Sequence, residues 1–79
     1  MDVRIGVLHT MKEIEVELPA DAVRDEIRTH IDTALSSGGK STLWLKDRHG
    51  KDVAIPTASI AYVELGSPDH ERRIGFGAA

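Results

Sequence analysis

The stretch "IPTASIAYVELG" (residues 55–66) decides how the sheet closes. Ile60 to Leu65 has the character of a strand, and Pro56-Thr57-Ala58-Ser59 separates it from a strand pattern ending at Ile55. Four extended residues reach about 14 Å at most, whereas a five-residue strand is itself about 17 Å long. So short a connection cannot return the chain along a strand. It predicts a reversal, with the flanking strands antiparallel. Alternation along the second strand then places Ala61, Val63 and Leu65 on one face and Ile60, Tyr62 and Glu64 on the other.

Upstream, Val3, Ile5 and Val7 alternate with Asp2, Arg4 and Gly6, and Ile14, Val16 and Leu18 alternate with Glu13, Glu15 and Glu17. These period-two patterns are half-buried strands, joined by a turn at His9-Thr10-Met11-Lys12. Pro19 ends the second strand. An N-cap at Asp21, acidic Asp25 and Glu26 in the first turn, and a stripe of Val23, Ile27, Ile31 and Leu35 with Ala34 predict an amphipathic helix. Ser36-Ser37-Gly38-Gly39 ends it. Leu43 and Leu45 then alternate with Thr42, Trp44 and Lys46, and Val53 and Ile55 follow a turn at Asp47-Arg48-His49-Gly50.

The expected class is α+β, in the order β-β-α-β-β-β. Its five strands form one antiparallel sheet with the helix on one face, and the last strand pairs with the first. The strand order is second, first, fifth, fourth, third. A ubiquitin-like β-grasp shares the element order, but its last two strands run in one direction, which four residues do not allow. Residues 1–66 make the single domain. Residues 67–79 form a tail, open to folding back on the sheet or to a short sixth strand through Arg73, Ile74 and Gly75.

A chain of 79 residues is one domain with a modest core. It has no cysteine, which excludes disulfides, thiolate metal sites and thiol catalysis, so a second subunit is the cheapest further source of buried area. The net charge is -3 and no basic stripe is visible, which argues against phosphate-led nucleic-acid binding. The chain starts without a leader pattern and contains no apolar run near the ~20 residues that span a bilayer. A cytoplasmic protein away from membranes is expected.

One helix covers only one face of such a sheet. Trp44, Ile60 and Tyr62 fall on the uncovered face, where aromatics suit an interface core. Exposed aromatics also stack bases, but Glu13, Glu15 and Glu17 oppose a nucleic acid there. Those glutamates repel one another, yet no second group completes an acid–base site, and a solvated face that discourages edge pairing accounts for them. His9, His30, His49 and His70 show no ligand spacing, so no metal is expected. "SSGGKST" (residues 36–42) lacks the first glycine of a phosphate loop and has a helix before it and a strand after, the reverse of that motif. "ERRIGFG" (residues 71–77) reads either as a partner- or phosphate-binding tail, or as a terminus whose Ile74 and Phe76 cover the exposed face. No nucleophile, base and orienting group stand in array, so no catalytic residue and no cofactor are expected.

"RIGV", "AL" followed by "GG", "IPTASIAYVELG" and "RRIGFG" together resemble a small actinobacterial domain-of-unknown-function family, Domain of Unknown Function 3107. The likeness covers nearly the whole chain, and the last two motifs are its most specific part. It implies a short cytoplasmic actinobacterial protein with no established activity. Some relatives carry an ATP-binding label. The stretch from Gly38 to Thr42 gives that label no phosphate loop, and no binding residues follow from it.

The expected function is a small non-enzymatic interaction or regulatory module, acting as a homo-oligomer or protein-binding surface. Its contact residues are Trp44, Ile60, Tyr62, Arg72, Arg73 and Phe76. The rival expectation is a small-ligand or nucleotide binder using the same aromatics with Arg72 or Arg73.

Overall fold

The computed structural model of the chain describes residues 1–66. The expected tail strand, with Arg72, Arg73 and Phe76, lies outside the described residues. The elements are β1 (Asp2–Val7), β2 (Glu13–Glu17), α1 (Arg24–Leu35), β3 (Thr42–Lys46), β4 (Asp52–Pro56), a 3-10 turn (Thr57–Ser59) and β5 (Ile60–Leu65). The class and the element order are as expected. The single five-stranded sheet is not: the strands form two antiparallel sheets, β2-β1-β5 and β3-β4. β5 pairs with β1 as expected, but β4 does not pair with β5.

Pro56 is the physical reason. It is not a turn residue: at φ −61° and ψ 127° it is extended, and it ends β4 opposite Thr42. On an edge strand the missing N–H of proline costs no ladder bond. Thr57 then continues the contact, its N–H donating to the Ser41 carbonyl at 3.0 Å and its hydroxyl to the same oxygen at 2.8 Å. Two residues on, the Ser59 carbonyl accepts the Leu8 N–H at 2.9 Å, beside the end of β1. The backbone of the connection is thus satisfied by β3's approach on one side and β1's exit on the other. The length argument rightly barred a long return, but the chain turns a corner into a second sheet instead of reversing within one.

The core joins the inward faces of both sheets to one side of the helix. Val3, Ile5, Val16, Leu18, Leu43, Leu45 and Ile55 meet Ile31 and Ala34. Each fully buried aliphatic side chain contributes roughly 1.5–3 kcal/mol. The helical stripe is narrower than its spacing suggested. Val23 and Leu35 are 51% and 42% exposed, and Val23 occupies the N-cap position with no side-chain cap. Asp21, expected as the cap, sits in the turn closed by the Ala22 N–H donating to the Pro19 carbonyl.

The β1–β5 register shifts between Gly6 and Val7, so that Gly6 faces Tyr62, Val7 faces Ile60, and Ala61 has no partner. An extra residue of this kind reverses the in–out parity of a strand. Ile60 therefore packs against the core and Ala61 is exposed, the opposite of the expected placement. Beyond the bulge the alternation holds, with Val63 and Leu65 inward and Tyr62 and Glu64 outward.

The β3–β4 turn is tied to β2. The Arg48 N–H donates to the Glu17 carbonyl at 2.8 Å, and its guanidinium meets the Glu17 carboxylate at 3.1 Å. Within that turn the Asp47 carboxylate accepts the N–H groups of His49 at 2.9 Å and Lys51 at 2.8 Å, while Gly50 takes the positive φ of 84° that the turn requires.

A candidate binding groove between α1 and β5

Among the described residues the outer edge of β5 is open. The Gly66 N–H donates to the Asp2 carbonyl at 2.8 Å. In an antiparallel ladder the bonding direction alternates, so Gly66, Glu64 and Tyr62 turn their backbone groups toward β1. Val63 and Leu65 turn theirs away from it. Among the described residues no strand pairs with that side of β5.

Beside this edge lies α1, and the two enclose a cleft of about 750 Å³. Ile31, Val63 and Leu65 give it buried or half-buried apolar walls, with Leu35 more open. Arg28, Asp25 and Asp32 add exposed charge, and Thr29 a hydroxyl. Arg24 sits at the end where the described chain stops, its half-buried guanidinium donating to the Gly66 carbonyl at 2.5 Å. That bond ties the end of β5 to the first turn of the helix. Arg28 makes no ion pair among the described residues.

The expected aromatic pair stands on separate sheets. Trp44 is 56% exposed on β3, opposite Ala54, and its carbonyl accepts a hydrogen bond from His30 Nε2 at 2.7 Å. Tyr62 belongs to β5 and is committed within its own sheet. Gly6 pairs with Tyr62 on one side and with Glu13 on the other, so the three form one row across the sheet. A Cβ at Gly6 would lie 2.2–2.6 Å from atoms of the Tyr62 ring, which means the ring lies on the glycine. The Tyr62 hydroxyl reaches over it and donates to the Glu13 carboxylate. That bond, helped by burial and by the charges of Glu13 and Glu64, holds the phenol above its ordinary pKa, and Arg4 opposes the shift. The structure thus brings Tyr62 to Glu13 rather than to Trp44. Ile60 faces the core, and Arg72, Arg73 and Phe76 lie outside the described residues.

The three glutamates of β2 are not merely solvated. Glu13 accepts from Tyr62, Glu15 meets Arg4 Nε at 3.3 Å and Glu17 meets Arg48. The 36–42 loop is a structural junction. The Ser41 hydroxyl bonds Ser37 Oγ at 2.8 Å, the buried Thr57 hydroxyl joins them, and the chain leads directly into β3. Among the described residues no group of three metal-ligating side chains converges, and no helix is long and apolar enough to cross a membrane.

Sequence reasoning missed the groove because its walls were assigned to the core. Leu35, Val63 and Leu65 have the spacing of buried residues, and β5 was expected to bond β4 along this edge. The exposed stripe position Leu35 carries the available signal: a helix beside a sheet edge leaves one flank of its apolar stripe uncovered.

A family model described as "Protein of unknown function (DUF3107)" matches residues 1–77, and the chain belongs to that family. No curated protein matches the chain.

Proposed function

We propose that this DUF3107 member is a non-enzymatic interaction module that takes up an extended peptide segment along the outer edge of β5. The observation behind this reading is that the outward backbone groups of Val63 and Leu65 have no strand partner among the described residues and lie beside a cleft with apolar walls. An open edge supplies main-chain hydrogen bonds to any added strand, and an adjoining groove selects among side chains.

Other edges of the two sheets are guarded, and this one is not. β4 ends in Pro56, β3 ends in Lys46 and β2 carries three glutamates, whereas β5 carries one glutamate, Glu64, and neither proline nor lysine. Such guards are how sheets avoid unwanted partners, so the unguarded edge is the one suited to a wanted partner. The charges of Arg28, Asp25 and Asp32 flank the apolar walls and set the direction in which a segment lies.

Panning a library of linear peptides on the full chain tests this. Selected peptides are expected to shift the amide resonances of Val63 and Leu65, and to bind about tenfold or more weakly to Leu35→Asp, in keeping with a charge placed against an apolar anchor. Peptides that bind both proteins equally, or that shift β3 and β4 instead, refute the reading. A nucleotide panel in a thermal-shift assay separates the rival small-ligand reading, because a bound ligand raises the apparent Tm. A rise that Arg28→Ala abolishes would favour that rival. Self-association lost in Trp44→Asp and kept in Leu35→Asp would favour the exposed aromatic instead.

A further inference from the structure

Resting on that reading of the β5 edge, we infer that the strand it takes up is β5 of a second copy of this chain, paired antiparallel across a twofold axis at Val63. The two β2-β1-β5 sheets then continue into one. A twofold contact sets a surface against itself, so it forms only where that surface complements its own reversal. Antiparallel backbones meet this condition. The side chains of the edge, and of the helix beside it, decide where the axis falls.

On β5 an axis at Val63 lets the two Val63 residues exchange both backbone hydrogen bonds, because their groups already point outward. It sets Tyr62 opposite the partner's Glu64 and Leu65 opposite the partner's Ala61, so the strand is used along its whole length. An axis one residue on, at Glu64, would put two carboxylates directly opposite each other, and like charges so placed are destabilising. An axis one residue back, at Tyr62, would set Leu65 opposite Ser59, which lies outside the partner strand.

The charges of α1 select the same axis independently. Those lining the cleft alternate in sign along the helix: Arg24, Asp25, Arg28 and Asp32. Reversed against itself, the pattern matches when helix position 30 is level with the axis. Arg28 then faces the partner's Asp32, and Asp32 faces the partner's Arg28. An axis level with position 28 or 32 would set like charge against like. The strand and helix choices coincide in height. Arg24 holds the Gly66 carbonyl, and the cleft follows α1 from there to Leu35. From Gly66 to Val63 is about 10 Å at about 3.3 Å per strand residue, a distance that carries the helix, at about 1.5 Å per residue, from Arg24 to about position 30 or 31. Closing the cleft from both sides also covers Leu35, an exposed apolar side chain on its wall. A peptide from another protein then competes with the second copy for one edge.

Sedimentation equilibrium and amide hydrogen exchange on the full chain test the inference. The unaltered chain is expected to be a dimer whose Val63 amide is protected, with the protection falling as the chain is diluted. Arg28→Asp and Asp32→Arg, both at exposed positions, are each expected to weaken the dimer about tenfold or more, because each sets like charges across the axis. Mixed together, the two variants are expected to pair again, since one then carries two acidic and the other two basic side chains at these positions. The Val3 and Ile5 amides report that the fold is intact in every chain. A monomer at every soluble concentration overturns the inference. So do single variants as dimeric as the unaltered chain, or a mixture no more dimeric than its parts. A Val63 amide equally protected in the weakened variants also overturns it, because something other than a second copy then covers the edge. Peptides selected on the full chain judge the broader reading separately. If the chain is monomeric and they still shift Val63 and Leu65, peptide recognition stands and self-pairing falls; if they shift neither, both fall.

Discussion

Gly6 is the position where one methyl group tests the outer face of the sheet. Its backbone does not have positive φ, so alanine is conformationally acceptable there. Gly6 is buried in the central strand beneath the Tyr62 ring, and an added Cβ would come within 2.2–2.6 Å of that ring. Overpacking of this kind costs roughly 1–3 kcal/mol. Alanine recovers about 0.5–1 kcal/mol by restricting the unfolded chain. Gly6→Ala is therefore expected to destabilise the protein by up to about 2.5 kcal/mol, where each kcal/mol lowers Tm by about 4–8 °C in a domain of this size. The decisive measurement repeats the substitution in a Tyr62→Ala background. With the ring gone the overlap vanishes and only the unfolded-state gain remains, so Gly6→Ala should become stabilising by about 0.5–1 kcal/mol. Urea unfolding followed by circular dichroism gives all four corners of this cycle. An equal cost in both backgrounds would show that something other than the ring excludes a side chain at Gly6, and the row Tyr62–Gly6–Glu13 would lose its role.

Three further outcomes follow from the same geometry. Tyr62 is the one tyrosine in the chain, so its tyrosinate absorbance titrates without overlap from another tyrosine. Its folded pKa is raised, so the stability it contributes is complete below the unfolded value near 10 and is lost as pH rises through the folded value. Glu13→Ala should move the titration back toward the ordinary tyrosine value, and an unchanged curve would contradict the bond. Asp47 behaves in the opposite sense. Its carboxylate is held below the ordinary range chiefly by the Lys51 N–H; burial opposes this, and the His49 N–H and the charges of Lys51 and His49 add to the lowering. Its contribution is present above about pH 4 and is lost as pH falls through the folded value. Asp47→Ala should flatten the acid limb of a stability–pH profile. Thr57→Val should destabilise by about 1–3 kcal/mol in urea unfolding, because it strips a buried partner from the Ser41 N–H and carbonyl. A neutral result would mean the corner between the sheets holds without that hydroxyl.

Local periodicity made most of the elements legible. The aliphatic alternation of Val3 and Ile5 and of Leu43 and Leu45, and the turn at Asp47 to Gly50, all lie where their patterns place them. The arrangement of the strands was less legible, because it turned on Pro56. A proline looks like a turn residue in sequence, and only its place on an edge makes it a strand residue. The bulge at Ala61 was invisible for a related reason. Nothing in Ile60-Ala61-Tyr62 departs from a regular strand until β1 lies beside it with Gly6 under the ring. Tyr62 was correctly placed outward, but its partner could not be read from sequence. Glu13 comes within reach across two strands, a separation set by register and not by spacing along the chain. The groove was hidden most deeply, since Leu35, Val63 and Leu65 have the chemistry of a core and differ from it only in what lies next to them.

The unpaired Ala61 acts as a phase shifter. Upstream of it β5 addresses the interior with even-numbered Ile60, and downstream with odd-numbered Val63 and Leu65. Removing that one small residue would leave the ladder with the usual two-residue rhythm and swing Ile60 out of the interior or Tyr62 into it. Substitutions at an exposed alanine are ordinarily inconsequential, so this strand should accept many residues at position 61 and yet not tolerate its deletion. For anyone shortening, grafting or recombining the segment, chain length there carries the information that side-chain identity does not.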